Sequence, residues 1–455
     1  MKKLSFFAIL LTLAAGCGAQ EKEWKELFDG KSLNGWEKVA GKADYKIEDG
    51  AIVGITVSNT PNTFLITGEK YNDFILELEV KIEDTTSNSG IQFRSQYDPT
   101  GNNKEGKVYG YQFELDPSAR RWTGGIYDEG RRDWLYPLSL NPSAQNAFTT
   151  GQYNKVRIEC VGNTIQTFVN GKPAACLVDA VDSKGVIALQ VHSIGNNQAL
   201  AGRKIYWKNI RIKTKDIALS TLPRDLYVVN TIPNFLSATE KKSGWKLLFD
   251  GKTSTGWKGA YKPGFPEKGW TIADGQLTVS PSDGTESTNG GDIVTIEQYA
   301  AFDLSFEFKL TPGANSGVKY FVTLSENNTG SAIGVEYQVL DDSLHPDAKK
   351  GRDGNRTMAS LYDLIKANKT KRFIHQPGEW NTGRVVVYPN NHVEHYLNGI
   401  KVLEYERGSQ AYRDLVAISK YNVWPGFGEA PKGHILLQDH GNAVSFRSIK
   451  LKELK

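Results

Sequence analysis

Phe74-Ile75-Leu76-Glu77-Leu78-Glu79-Val80-Lys81-Ile82 alternates apolar and charged side chains with a period of two. Successive side chains of a strand point to opposite faces, so Leu76, Leu78, Val80 and Ile82 share one face. Phe302 to Leu310 repeats the pattern. Nearby, Lys155–Val161 and Ile165–Val169 flank Gly162-Asn163, a short-hairpin signal. Arg384–Tyr388 and His392–Leu397 flank Pro389-Asn390-Asn391 in the same place, and Asn170-Gly171 and Asn398-Gly399 each turn into a third strand. Short strands with turns every 8–12 residues point to an all-β sandwich or jelly roll. One helix is predicted, around 359–368.

The alternation belongs to a longer repeat. Trp24-Lys25-Glu26-Leu27-Phe28-Asp29-Gly30-Lys31 returns as Trp245-Lys246-Leu247-Leu248-Phe249-Asp250-Gly251-Lys252. Asn88-Ser89-Gly90-Ile91 returns as Asn315-Ser316-Gly317-Val318, and Gly125-Ile126-Tyr127-Asp128 as Ser360-Leu361-Tyr362-Asp363. Leu189-Gln190-Val191-His192 returns as Leu437-Gln438-Asp439-His440. Ordered matches over this length indicate tandem duplication. The expected division is a first copy at 21–215, a linker at 216–243 and a second copy at 244–455. Leu222, Leu226, Val228, Val229, Ile232 and Phe235 make the linker too apolar to float free, so it is expected to dock on a domain.

Residues 1–17 read as a processing signal: Lys2 and Lys3, an apolar run from Leu4 to Leu13, then Leu13-Ala14-Ala15-Gly16-Cys17. The last five resemble the lipobox of bacterial lipoproteins, which implies cleavage before Cys17 and acylation of its thiol. The expectation is an exported outer-membrane lipoprotein, facing periplasm or cell surface, held to the membrane by a lipid anchor. Ordinary cleavage near Ala19 is the alternative. Export permits a disulfide between Cys160 and Cys176, although Cys160 aligns with Val387 and reads as a small core residue. The formal net charge is +4, with Lys and Arg spread along the chain, so there is no basic stripe for nucleic acid.

The same parity exposes a second, polar face. In Tyr111 to Asp116, Tyr111, Phe113 and Leu115 pack while Gln112, Glu114 and Asp116 share the other side. Copy two sends Glu336 and Gln338 to that side. Gln92 and Arg94 follow in copy one and Lys319 in copy two; near each C-terminus come Gln190 with His192 and Gln438 with His440. Each residue alone is what a solvated sheet face looks like. The set of carboxylate, amide, cation and imidazole, with Trp122, Tyr127, Arg131, Trp134, Tyr362 and Asp363 in neighbouring turns, suits hydrogen bonding to sugar hydroxyls.

At these residues the chain resembles the 3-keto-disaccharide hydrolase family of exported bacterial proteins. The resemblance rests on Leu248-Phe249-Asp250-Gly251-Lys252 with Gly256-Trp257, Asn315-Ser316-Gly317, Gly378-Glu379-Trp380-Asn381, Leu397-Asn398-Gly399 and Leu437-Gln438-Asp439-His440-Gly441 with Phe446-Arg447-Ser448-Ile449-Lys450. It covers both copies and implies two tandem concanavalin A-like jelly rolls. The implied activity is cleavage of glycosides already oxidised at C3, so the expected partner is a 3-keto oligosaccharide or glycoside. Copy one departs from the pattern: Val191 stands for Asp439, Ser193 for Gly441 and Thr167 for His395. Catalysis is therefore expected in copy two.

An ordinary glycosidase needs two carboxyl groups at a set separation. Glu114 and Asp116 lack a third acid, and copy two has Gln338 and Leu340 there, which disfavours that chemistry. A 3-keto-sugar needs one base for the C2 hydrogen, a group to stabilise the enolate, and help for the leaving group. The expected base is Glu336 or His440, and the expected electrophile Lys319 or a bound divalent metal. Glu336, His395, Asp439 and His440 are ligands by type, although their spacing fits no recognised metal motif. No cofactor is otherwise implied. The competing reading is a non-catalytic carbohydrate-binding surface lipoprotein with two copies for avidity.

Overall fold

Each opening Leu-Phe-Asp-Gly-Lys segment folds by the same local rules. Asp29 accepts the backbone N–H groups of Lys31 and Ser32, and Asp250 those of Lys252 and Thr253. The indole of Trp36 donates to the Leu27 carbonyl at 2.7 Å, and that of Trp257 to Leu248 at 2.6 Å. Phe28 and Phe249 are thereby buried. The computed structural model describes residues 24–283, 285–325 and 331–455. The signal and lipobox at 1–17, with Cys17, lie outside the described residues.

Both copies are two-sheet sandwiches. In copy one a seven-stranded sheet, whose centre is Lys107–Leu115, Ser89–Asp98 and Val186–Val191, faces a nine-stranded sheet centred on Phe74–Ile82. In copy two a five-stranded sheet runs Trp257–Gly259, Ile293–Thr295, His434–Leu437, Asn315–Val322, Val335–Leu340, and faces an eight-stranded sheet centred on Phe302–Leu310. Leu76, Leu78, Val80 and Ile82 are all buried between the first pair, as their period requires.

Two expectations change, and the reading of Cys160 as a core residue holds. No helix forms at 359–368: Ala359 and Asp363 take positive φ, and Leu361 bridges to Tyr337 and Ile365, so the stretch is a chain of turns. Arg94 does not share a face with Gln92. It sits in a bulge with φ of +48°, where the register slips between Gln92 and Gln96. The bulge turns its guanidinium onto the Asn72 and Gly162 carbonyls and the Asp73 carboxylate, so Arg94 ties loops together. Cys160 and Cys176 are free and buried, on strands separated by Thr164–Val169.

The segment 216–243 docks. Val229–Asn230 pairs in parallel with Leu177 and Val178, and Val228 is buried against Cys176 and Val178, while Phe235 stays exposed. Ser237 and Glu240 form a capping box on the helix Ala238–Lys242. Glu240, fully buried, also receives the Lys450 ammonium at 2.5 Å. The copies touch directly: Ser139 Oγ donates to Gly399 O, and Phe373 and Ile400 pack on the core of copy one.

Removing one partner of a buried pair leaves an uncompensated charge. Lys450→Met is therefore expected to lower the stability of the chain by about 3–5 kcal/mol, read as a lower denaturant midpoint.

Candidate functional site

The polar face of the five-stranded sheet is built in rows. Gln338 pairs with Gly317, whose carbonyl accepts the Gln438 N–H at 3.0 Å; in the next row Glu336 pairs with Lys319. Val318, Tyr320, Tyr337 and Val339 point the other way, into the core. Gly317 leaves room for the Glu336 carboxyl group. A Cβ on it would lie 2.1 Å from Glu336 Oε1, so the missing side chain is the seat of the carboxyl group. Gly90 seats Gln112 in the same way, with Gln112 Cδ 2.2 Å from a Cβ built there. The sheet register aligns Gln112 with Glu336, Glu114 with Gln338 and Gln92 with Lys319.

This face does not meet bulk solvent as an open sheet would. Glu336, Lys319, Gln338 and Gln438 are all buried. Lys319 Nζ donates to Ser331 Oγ at 2.7 Å and Ala332 O at 3.0 Å, and lies 3.9 Å from Glu286 Oε1. Burial pulls the lysine pKa down, but the carboxylates of Asp292, Glu336 and Glu286 outweigh it and the net shift is upward. Asp292 accepts the N–H groups of Asp439 and Ala332 at 3.0 Å each; its burial raises its pKa.

Glu336 differs from these. Its carboxyl makes no hydrogen bond to a described residue, and burial pushes that group up to about 7 against the opposing fields of Lys319 and Lys420. A carboxyl of that pKa is half ionised near neutrality, the condition a general base needs. Gln338 Oε1 and Gln438 Oε1 on the same face, and His440 Nδ1 in the loop that follows Gln438, are buried without a partner among the described residues. Unpaired buried amide oxygens are costly, so Gln338 and Gln438 suit a ligand that brings hydroxyl donors. Gln438 Nε2 donates to Glu286 at 2.6 Å, and the His440 ring meets the His345 ring edge-on at 5.8 Å.

Other expected residues have structural work. Tyr362 donates its hydroxyl to Asp347 at 2.8 Å, and Asp363 accepts Arg356 Nε at 2.7 Å and the Lys420 N–H at 2.8 Å. The four expected metal ligands do not converge. His395 is in the core, between Tyr320 Oη at 2.8 Å and the Ala359 carbonyl at 3.1 Å, because it lies on the inner side of the opposite sheet. Asp439 is saturated by the N–H groups of Gly290, Gly291 and Gly441. Among the described residues His392, Glu394 and Glu404 do cluster, on the outer sheet, but Lys401 already pairs with both acids.

Copy one carries a quieter face. Gln92 donates to Gln112, Gln112 to Glu114 at 2.8 Å, and Asn88 to Glu114 at 2.8 Å. Burial pushes Glu114 up to about 7 as well. Gln190 donates weakly to Glu129, and its Oε1 is unpartnered. His192 is exposed and bonded to the Ser193 carbonyl. Three expected contacts are drawn off this face. Arg131 pairs with Asp128 and Asp182, Tyr127 bonds Asp133, and Trp122 is buried against Trp134 and, across the domain contact, Phe373.

Sequence reasoning missed Glu286 and Asp292, which reach the site from loops, and Lys420, which opens a short 3-10 helix. One signal was available for Lys420: residues 407–433 fill the place that 179–185 occupy in copy one.

Comparison with known proteins agrees with the duplicated architecture. A family model described as a 3-keto-alpha-glucoside-1,2-lyase-like domain matches residues 23–213 and again 244–452. A 3-keto-disaccharide hydrolase of Bacteroides thetaiotaomicron is 39% identical over 234 residues, spanning 46% of this chain and 79% of that protein. Two solved structures of candidate glycosyl hydrolases from Parabacteroides distasonis are also similar. One is 31% identical over 49% of this chain and 100% of its own (TM-score 0.44), the other 26% over 46% and 99% (TM-score 0.33). With both halves matched by one model, this chain belongs to the 3-keto-alpha-glucoside-1,2-lyase-like domain family, in two tandem copies.

Proposed function

We propose that the protein is a carbohydrate-cleaving enzyme whose second copy acts on 3-keto-glycosides, with Glu336 as the base. The single observation that carries this is the Glu336 carboxyl itself: buried over Gly317, free of hydrogen bonds to the described residues, and poised at about 7 beside a buried lysine. The family membership and the curated relative's name support the substrate class.

The chemistry follows from the ketone. The Glu336 carboxylate takes the C2 hydrogen, and the electron pair moves onto the C3 oxygen as an enolate. The enolate re-forms the carbonyl, a C1–C2 double bond forms, and the C1–O bond breaks. The leaving oxygen takes a proton, a role we assign to His440, whose Nδ1 has no partner among the described residues. Water then adds hydroxyl to C1 and hydrogen to C2, giving the free 3-keto-sugar. Lys319 supplies positive field beneath the site, which favours the ionised form of Glu336.

Copy one fits binding rather than cleavage. Gln92 and Gln112 stand where Lys319 and Glu336 stand, so it has neither the base nor the cation. We assign its amide face to holding sugar. The division at 216–243 and export as an outer-membrane lipoprotein acylated at Cys17 complete the proposal, the latter resting on Leu13 to Cys17 alone.

A chromogenic 3-keto-glucoside, assayed beside its unoxidised parent, is expected to be the one cleaved. Cleavage of the parent alone overturns the reading, and loss of turnover in chelator would bring a metal into it. Glu336→Gln is expected to lower kcat by about 10²–10⁴-fold. The base acts when ionised, so the wild-type rate should rise with pH through about 7. Lys319→Met removes the leading cation that holds this pKa down, so the midpoint of its pH–rate profile should move upward. Cys17→Ala is expected to release the protein from the membrane fraction, measured by fractionation of expressing cells.

A further inference from the structure

Between the strands Ile400–Glu406 and His434–Leu437, copy two inserts residues 407–433; copy one joins the equivalent strands with 179–185 alone. The insertion is a built element. Ser409 Oγ caps the helix Gln410–Ala417 by accepting the Tyr412 N–H, and Tyr412 donates its buried hydroxyl to the Phe427 carbonyl at 2.8 Å. Tyr421 stacks on Phe427 with centroids 4.0 Å apart. Arg407 donates to the Gly428 and Ala430 carbonyls, closing the base.

This frame fixes one residue against the site. The Lys420 N–H is held by Asp363, in the turn that follows Tyr362, whose hydroxyl is in turn held by Asp347. The Lys420 side chain is exposed, with Nζ 4.3 Å from the centroid of the Tyr362 ring and 5.2 Å from that of Tyr421. It makes no hydrogen bond or ion pair among the described residues. The Tyr362 over which it lies donates its backbone N–H to the Glu336 carbonyl at 3.0 Å, and the Lys420 charge favours the ionised form of Glu336. Lys319, by contrast, is buried and has two of its hydrogens committed to Ser331 and Ala332. A cation that must meet a new oxygen needs an uncommitted N–H, and the site has that at Lys420.

We propose that Lys420, carried to the site by an insertion absent from copy one, is a catalytic residue whose ammonium binds the C3 ketone oxygen of the substrate and takes up the enolate charge. The assignment rests on the functional reading above. It also accounts for the pairing of changes between the copies: copy one lacks the base at Gln112, the buried cation at Gln92 and the insertion together.

The test uses the full chain with a 3-keto-glucoside, followed by the exchange of the C2 hydrogen of 3-keto-glucose in D2O by NMR. Loss of one donor to a developing oxyanion typically lowers kcat by about 10²–10³-fold. Lys420→Met is expected to do so with little change in KM, and to slow C2 exchange in proportion. Lys420→Arg should restore part of both rates. The thermal midpoint should hold, because the side chain is exposed and the backbone bond to Asp363 is kept. A Lys420→Met enzyme with kcat within twofold of wild type, or with a defect in KM alone, overturns the assignment and leaves the functional reading standing. Wild-type protein that neither cleaves the keto-glycoside nor exchanges C2 sinks both.

Discussion

A lysine buried at 5% exposure is the constraint about which the second copy's inner sheet is arranged. An ammonium taken out of water costs several kcal/mol unless opposite charge and acceptors surround it. Lys319 meets that demand with Ser331, the Ala332 carbonyl and the fields of Asp292, Glu336 and Glu286. Asp292 must be satisfied in turn, and it draws in the N–H groups of Ala332 and Asp439. Two loops are thereby pinned over the sheet, and the Glu336 carboxyl is enclosed with no hydrogen bond to a described residue. Its raised pKa is a consequence of that enclosure.

Copy one shows what the same backbone does without the lysine. With Gln92 in its place no cation sits at that position, and Gln92, Gln112, Glu114 and Asn88 satisfy one another. The frame beneath the two sites is nonetheless common. Thr167 Oγ1 donates to the Gly124 carbonyl at 2.6 Å, and His395 Nδ1 bonds the Ala359 carbonyl at 3.1 Å, both at residues of positive φ that begin the matching turns. Burial drops the His395 pKa to about 4, so it stays neutral and serves as a strut. A residue that looks chemical in sequence can thus be the counterpart of a threonine hydroxyl.

The contact between copies removes Trp122 from the ligand's reach. Trp122 and Phe373 cover each other across it. Arg384 is bound bidentately by Asp303 and lies 3.9 Å from the Tyr227 ring, which joins the connecting segment to the outer sheet of copy two. Aromatic and arginine side chains suit sugars and domain contacts alike, so residue type could not choose between them.

The sequence by itself determined the duplication, the all-β class and the inward or outward parity of nearly every strand residue. A strand's period of two is local and survives whatever packs on it. Parity placed Glu336, Gln338, Lys319 and Gln438 on one face correctly, and it failed at Arg94, where a bulge reverses it. Tertiary structure alone decided which of those faces is buried, which polar atoms are left unpaired and which loops close over them. Burial, pKa and hydrogen-bond satisfaction depend on groups far apart in the chain, such as Lys319 with Asp292 or Glu336 with Lys420, and no local pattern records their approach.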